Sequence, residues 1–309
     1  MIMFLFVSVG FAQQEPQFTH YMFNNASTNP GAVGSLPVFT VTALARQQWV
    51  DLKDESGNRV APETYLISVE SPVRVLKGGL GLTVMQDKAG YEKNFTVRLA
   101  YGYQMQLGSG QLGIGVQGNF MNKSIDLSML NGVDPNDPRL ADKNTESSFF
   151  TDLGVGAFYR VPDKLYAGLS SINVLENAKP IGKSSEPITY QLKRTYFLTG
   201  GYEIPVNADK SLVLVPSFLL KTDVAGIQCD LNGTIRYHNK FWGGLTYRVK
   251  GEPAAIVGII VNNFQFGYGY DLPTDKLGTL GSHEIMLRYS MKVVEKRKPK
   301  MSYRNTRFL

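Results

Sequence analysis

Cysteine is nearly absent from these 309 residues: Cys229 stands alone, so no internal disulfide can form and a disulfide scaffold is excluded. Histidine is almost as scarce. His20, His238 and His283, with that single thiol, cannot assemble a His/Cys zinc cluster, and neither a metal nor a cofactor is expected. Long hydrophobic runs are missing too. A membrane-spanning helix takes about 20 apolar residues, and no segment of the chain comes near that length. Leucine-rich helical stretches are also lacking, which argues against a soluble helical enzyme. Charge of one sign is missing from the body of the chain. From Lys292 to Leu309 there are seven basic residues and one acid, a net +6, so the preceding chain carries 25 of each and is neutral. A nucleic-acid binder would spread its positive charge over a folded face; no nucleic-acid partner is expected.

Glycine (31), tyrosine (16) and phenylalanine (17) are plentiful, and this aromatic content excludes disorder. Met1 to Ala12 is a short apolar run closing on Gly10-Phe11-Ala12, the small-x-small pattern of signal-peptidase cleavage, although it has no basic n-region. Residues 1–12 are read as a signal peptide and Gln13 as the mature start. No cysteine follows, so no lipid anchor is expected there.

The dominant pattern has period 2, the period of a strand with two unlike faces. Phe95, Val97, Leu99, Tyr101, Tyr103, Met105 and Leu107 alternate with Thr96, Arg98, Ala100, Gly102, Gln104 and Gln106. Leu153, Val155, Ala157 and Tyr159 oppose Asp152, Gly154, Gly156 and Arg160, and the pattern returns around Gln117, Asp230, Arg236, Asp271 and Arg288. A soluble sandwich would alternate in the same way. Strand length, tyrosine-rich ends and the export signal favour a transmembrane antiparallel β-barrel, with its apolar face to lipid and its polar, glycine-rich face to a lumen. Roughly fourteen strand-like runs lie between 37 and 292. Tight connections at 108–110, 162–163, 239 and 263 alternate with long ones at 122–148 and 174–192. Short turns face the periplasm and long loops face outward, which puts both termini in the periplasm. The chain divides into 1–12, a segment 13–36 without strand alternation that either plugs the lumen or caps its periplasmic mouth, the barrel 37–292, and a basic tail 293–309.

The mature start carries Pro16, Phe18, Tyr21, Met22 and Asn24 followed by Asn29, Pro30 and Gly34, and Arg46-Gln47-Gln48-Trp49 and Gly281-Ser282-His283-Glu284 come later in the chain. In these segments the chain resembles the PorP/SprF family of type IX secretion outer-membrane proteins of the Bacteroidetes: the first is similar to the family's N-terminal signature, the second to its Arg-x-Gln-Trp motif and the third to a motif near its end. The likeness runs in order from about Gln13 to Tyr289. Gly31 replaces the commoner alanine after Asn-Pro, and Leu309 stands where an aromatic end is usual. The resemblance implies a non-enzymatic multi-pass outer-membrane protein. It also implies a specific secreted cargo with a type B C-terminal sorting domain, which the protein helps to export and retain at the cell surface.

Candidate sites follow from both readings. Loops 122–148 and 174–192, with lumen residues Arg98, Gln117, Arg160, Asp230, Arg236, Arg248 and Arg288, are candidates for gripping cargo. Lys296, Arg297, Lys298, Lys300, Tyr303, Arg304, Arg307 and Phe308 would dock on periplasmic ring or motor components of the secretion machinery. The alternative function is a passive porin or small-molecule channel. An enzyme would have to be an outer-membrane phospholipase built on His283. Adjacent strand residues point to opposite faces, so Ser282 and His283 form no local dyad. The glycine strings 78–81 and 108–110 lack the Lys-Ser/Thr and helix of a phosphate loop. Asp134–Pro138 lacks the spacing of a calcium loop.

Overall fold

A computed structural model describes residues 15–54, 57–129, 145–182, 188–223, 226–249, 251–274 and 280–293. The expected signal peptide, the basic tail beyond 293, Asp134–Pro138 and most of loop 122–148 lie outside these residues.

The chain forms a closed antiparallel barrel of 14 strands. Its first half comprises β1 (Val38–Gln47), β2 (Glu63–Val73), β3 (Gly78–Ala89), β4 (Glu92–Leu107), β5 (Gly110–Asp126), β6 (Thr145–Val161) and β7 (Leu165–Ile172). A hairpin of β8 (Ala178–Ile181) and β9 (Ile188–Gln191) interrupts the sequence, followed by β10 (Thr195–Tyr202) and the short β11 (Ile204–Pro205). The wall is completed by β12 (Leu212–Thr222), β13 (Ile227–Tyr237), β14 (Phe241–Arg248), β15 (Ala254–Val261), β16 (Phe264–Asp271) and β17 (Ser282–Lys292). Neighbours in sequence pair with one another, and β1 closes the ring on β17 with Val38 opposite Lys292 and Gln47 opposite His283. Among the described residues, no helix is long and apolar enough to cross a membrane; the crossing is made by strands.

The alternation seen in the sequence is the alternation of burial. On β5, Gly113, Gly115, Gln117 and Asn119 are buried while Ile114 and Val116 are exposed. On β6, Asp152, Gly154 and Phe158 are buried while Leu153 and Val155 face out. A barrel in lipid exposes apolar side chains because its solvent there is hydrocarbon. Turns at 74–77, 108–109, 162–164, 238–240 and 262–263 lie at the end where β1 begins and β17 finishes. The segments 48–62, 173–194 and 272–281 lie at the other. Short turns mark the periplasmic end and long loops the outer end. His238 and Asn239 have φ of 49° and 53° at the centre of a hairpin closed by the Lys240 N–H bonding the Tyr237 carbonyl at 3.0 Å. Positive φ at both central residues is the turn whose twist suits adjoining strands, so this histidine serves a turn.

Leu153, at the middle of β6, is 51% exposed. Leu153→Arg is expected to cost about 2–4 kcal/mol in a denaturant titration of folding into lipid vesicles; an unchanged midpoint would mean that this face meets water.

Candidate functional site

Residues 15–36 run down the inside of the barrel from the outer end to the periplasmic end and lead into β1. Three single-turn 3₁₀ helices, Tyr21–Phe23, Asn25–Ser27 and Pro30–Ala32, keep this segment compact. A chain inside a barrel has no strand neighbour for its backbone polar groups, so lumen side chains must satisfy them. Gln104 Nε2 donates to the carbonyls of Gly31 and Val33 at 3.0 and 2.8 Å and Ser170 Oγ to that of Thr28 at 2.8 Å, while Asn29 Nδ2 of the segment donates in turn to the Ala157 carbonyl of the wall at 3.0 Å.

The outer half of the lumen holds a buried charge network. Arg46 is 1% exposed, and Asp271 and Glu284 are 0% exposed. Arg46 Nη2 donates to Asp271 Oδ2 at 2.6 Å and Nη1 to Glu284 Oε2 at 3.1 Å. The segment completes these carboxylates. Backbone N–H groups of Thr19 and His20 each donate to Glu284 at 2.8 Å, His20 Nδ1 lies 2.7 Å from Glu284 Oε1, and Thr19 Oγ1 donates to Asp271 Oδ1 at 2.8 Å. Arg248 bridges Asp271 and Asp230 at 3.2 and 3.3 Å, and Gln17 Nε2 donates to Asp230. Across the lumen Arg98 Nη2 grips both oxygens of Glu15 at 2.8 and 2.7 Å, while Lys221 Nζ donates to the Glu15 carbonyl at 2.8 Å. Arg46, Arg98, Lys221 and Arg248 thus stand against Glu15, Asp230, Asp271 and Glu284. Buried ions persist only when paired and hydrogen-bonded in this way.

Beneath the network the segment packs on apolar groups and on glycine. Phe18, Met22 and Phe23 join Leu44, Leu66, Met85, Trp242, Ile256 and Met286, with Trp242 4.7 Å from Phe23 between ring centroids. Tyr21 packs with Ile172, Phe197 and Leu219. Residues Asn29–Gly34 then lie directly on the inner-face glycines of β3–β6. A Cβ at Gly113 would sit 2.0 Å from the Gly31 carbonyl oxygen, one at Gly115 2.3 Å from Pro30, and one at Gly156 2.2 Å from Asn29. Gly34, at φ +79°, turns the chain against Gly79. A Cβ at Gly31 would itself meet Gly113, Gly156 and Phe158 backbone atoms at 2.8–2.9 Å, so an alanine there would crowd this bed.

The predicted residues therefore separate by height. Arg98, Asp230 and Arg248 bind the lumen segment. Gln117 is buried against Gly154, and Pro16 shares a small cleft with Phe18 and Lys221. Arg160, Arg236 and Arg288 lie lower, around a cavity of about 230 Å³ beneath the segment. Asn24 is buried in the segment. At the outer rim, the Gln48 N–H bonds the Pro62 carbonyl, Gly281 has φ +69°, and Trp49 Nε1 donates to Glu252 Oε1 at 3.0 Å. Burial pushes the Glu252 carboxyl up, and the Trp49 bond offsets part of that. Ser282 faces inward, and its Oγ accepts the Trp49 N–H at 3.3 Å; His283 faces outward, with Nδ1 2.7 Å from the Tyr268 hydroxyl. Glu15, Gln17, Thr19, Lys221, Glu70 and Glu203 were not among the predicted site residues. Lys221 hides in the apolar run Val215–Leu220, where period 2 is lost, and Glu15 to Thr19 belong to no strand.

The described parts of the connection 173–194 pack on the barrel. Its β8–β9 hairpin turns Ile181 and Leu192 onto inward-facing Phe150, with Met121, Ile125 and Tyr190 around them. Lys123 Nζ lies 4.4 Å over the Tyr190 ring. Asp152 accepts the N–H groups of Leu175 and Asn177 at 2.9 and 3.2 Å, fixing the start of the loop.

These features define an outer-membrane barrel with its own N-terminal segment packed inside the lumen. The family model "Type IX secretion system membrane protein PorP/SprF" matches residues 10–289, and the chain belongs to that family. Among solved structures, the toluene transporter TodX of P. putida is 8% identical with a TM-score of 0.50, covering 88% of this chain and 94% of that one. Omp33 of Acinetobacter baumannii is 7% identical with a TM-score of 0.46, over 84% and 100% of the two chains. At such identities the likeness concerns the fold alone. No curated protein matches the chain.

Arg46→Met strands two buried carboxylates and is expected to lower stability by about 3–5 kcal/mol, read as the denaturant midpoint of the purified barrel. Gly115→Val has no room beneath Pro30; it is expected to displace the segment and raise single-channel conductance in planar bilayers well above a nearly closed wild type. Equal conductance in the two proteins would show that the segment does not fill the lumen.

Proposed function

We propose that this barrel binds a secreted protein carrying a type B C-terminal sorting domain, assists its export and anchors it at the cell surface. Family membership supplies the secretion system. The observation that carries the finer reading is the filled outer lumen under a structured rim. A conduit would keep its widest section free, whereas here the inward-facing cations are consumed by Glu15 and by carboxylates that also hold the segment. What the outer end offers is surface. Leu175, just before the β8–β9 hairpin, and Ile188 within it are half-exposed beside polar neighbours, the mix of apolar anchors and polar rim that suits a protein partner. In this reading the loops 122–148 and 174–192 grip cargo by binding energy alone, and the basic tail from Lys296 to Phe308 docks on an acidic periplasmic component of the machinery.

Replacing 130–144 and 178–191 with short Gly-Ser linkers is expected to release cargo into the medium while heat-modifiable migration of the barrel is unchanged. Cargo that stays on the cell surface after both replacements would refute the loop mechanism.

A further inference from the structure

We propose that the periplasmic half of the lumen is a binding site for the carboxylate end of a peptide that enters from the periplasm. It is distinct from the outer rim discussed above and does not depend on that reading.

The cavity beneath the segment is lined by three arginines from different strands, Arg160 of β6, Arg236 of β13 and Arg288 of β17. They differ in how they are partnered. Arg236 Nη2 donates to Glu203, also in the lining. Among the described residues, neither the Arg160 nor the Arg288 side chain makes a hydrogen bond or an ion pair, and Arg288 Nε is buried without a partner. The further acid whose charge reaches both is Glu70 on β2. Asp163, in the turn after β6, also reaches Arg160; within the lining itself three guanidinium groups meet one carboxylate, Glu203. A guanidinium offers a planar fork of donors that matches a carboxylate with two parallel bonds, and in an enclosed space such a pair is poorly screened.

The walls narrow the ligand class. Phe23, Phe158, Leu165, Val215, Trp242 and Ile260 surround the arginines. Inorganic anions gain nothing from such walls, whereas a terminal residue with an apolar side chain uses both parts of the chamber. A route to it is present. A second cavity of about 590 Å³ opens at the short-turn end between Pro37, Arg74, Lys77, Gln111 and Pro162, and Arg160 lines both spaces. Among the described residues no acid lines this vestibule, while Lys77 and Arg160 do. Such basic walls favour an acidic chain arriving from the periplasm.

The protein has two tryptophans, Trp49 at the outer rim and Trp242 in the chamber, which provides a located readout. The probe is a short acidic peptide ending in 4-bromophenylalanine, whose bromine quenches indole fluorescence on contact, added to the full-length barrel in lipid nanodiscs. The free-acid peptide is expected to quench saturably, and the quenching should vanish in Trp242→Phe. The C-terminal amide of the same peptide is expected to bind about tenfold more weakly, the loss typical of a charge-assisted hydrogen bond. Arg160→Gln and Arg288→Gln, checked for heat-modifiable migration, should each weaken the acid about tenfold and leave the amide unchanged. Equal binding of acid and amide by the wild type overturns the proposal even if neither variant folds. Displacement of the peptide by equimolar inorganic phosphate overturns it as well, because the site would then select charge without a peptide end.

Discussion

The structure depends on a problem of volume. Small barrels of about eight strands fill their interior with their own side chains, and those of about sixteen leave a water-filled channel. Fourteen strands fall between, leaving a lumen too wide for side chains to meet across it. Here a stretch of backbone fills it. That choice dictates the inner face. Glycine stands where the segment touches the wall at Gly113, Gly115 and Gly156, and Gln104 and Ser170 settle segment carbonyls that would otherwise go unpaired.

Charge is divided along the same axis. In the outer half Arg46, Arg98 and Arg248 each answer a carboxylate, Lys221 answers the Glu15 carbonyl, and the segment supplies further donors through Thr19 and His20. In the periplasmic half the arginines outnumber the acids around a cavity. One fold thus carries an ion-paired network, which rigidifies, above two arginines whose side chains have no hydrogen-bond partner among the described residues, which is the condition for recognising something else. The pattern also separates two uses of arginine that look alike in the sequence: Arg98 and Arg160 are both inward-facing residues of long strands, yet one is spent on Glu15 and the other faces space.

The wall was legible in the sequence because lipid enforces period 2 residue by residue, and the strand-like runs coincide with the barrel strands. Inward-facing Arg98, Asp230, Asp271 and Arg288 could be read from the same alternation. The hairpin β8–β9 could not, since it lies within a loop and its strands answer to Phe150 rather than to the barrel's pattern. Nor could the partners be assigned. Arg46 and Glu284 are separated by 238 residues and Thr19 and Glu284 by 265, so period 2 gives each one's face without saying what it meets. The resemblance singled out Arg46, Glu284 and the N-terminal segment. Only the fold shows that they form one cluster.

That cluster sits on the join between the first and last strands. Arg46 is on β1 and Glu284 opposite it on β17, and Asp271 belongs to the neighbouring β16. Thr19 and His20 lie across that seam like a clasp. Contacts between the two extremities of a chain form only after the intervening loop has been closed, at an entropic cost that grows with its length. On this entropic ground the clasp is expected to fasten late in folding, with the N-terminal segment already lying within the curling sheet. Once shut, the barrel holds its own beginning inside it, and the same residues that neutralise the lumen report that the circle is complete.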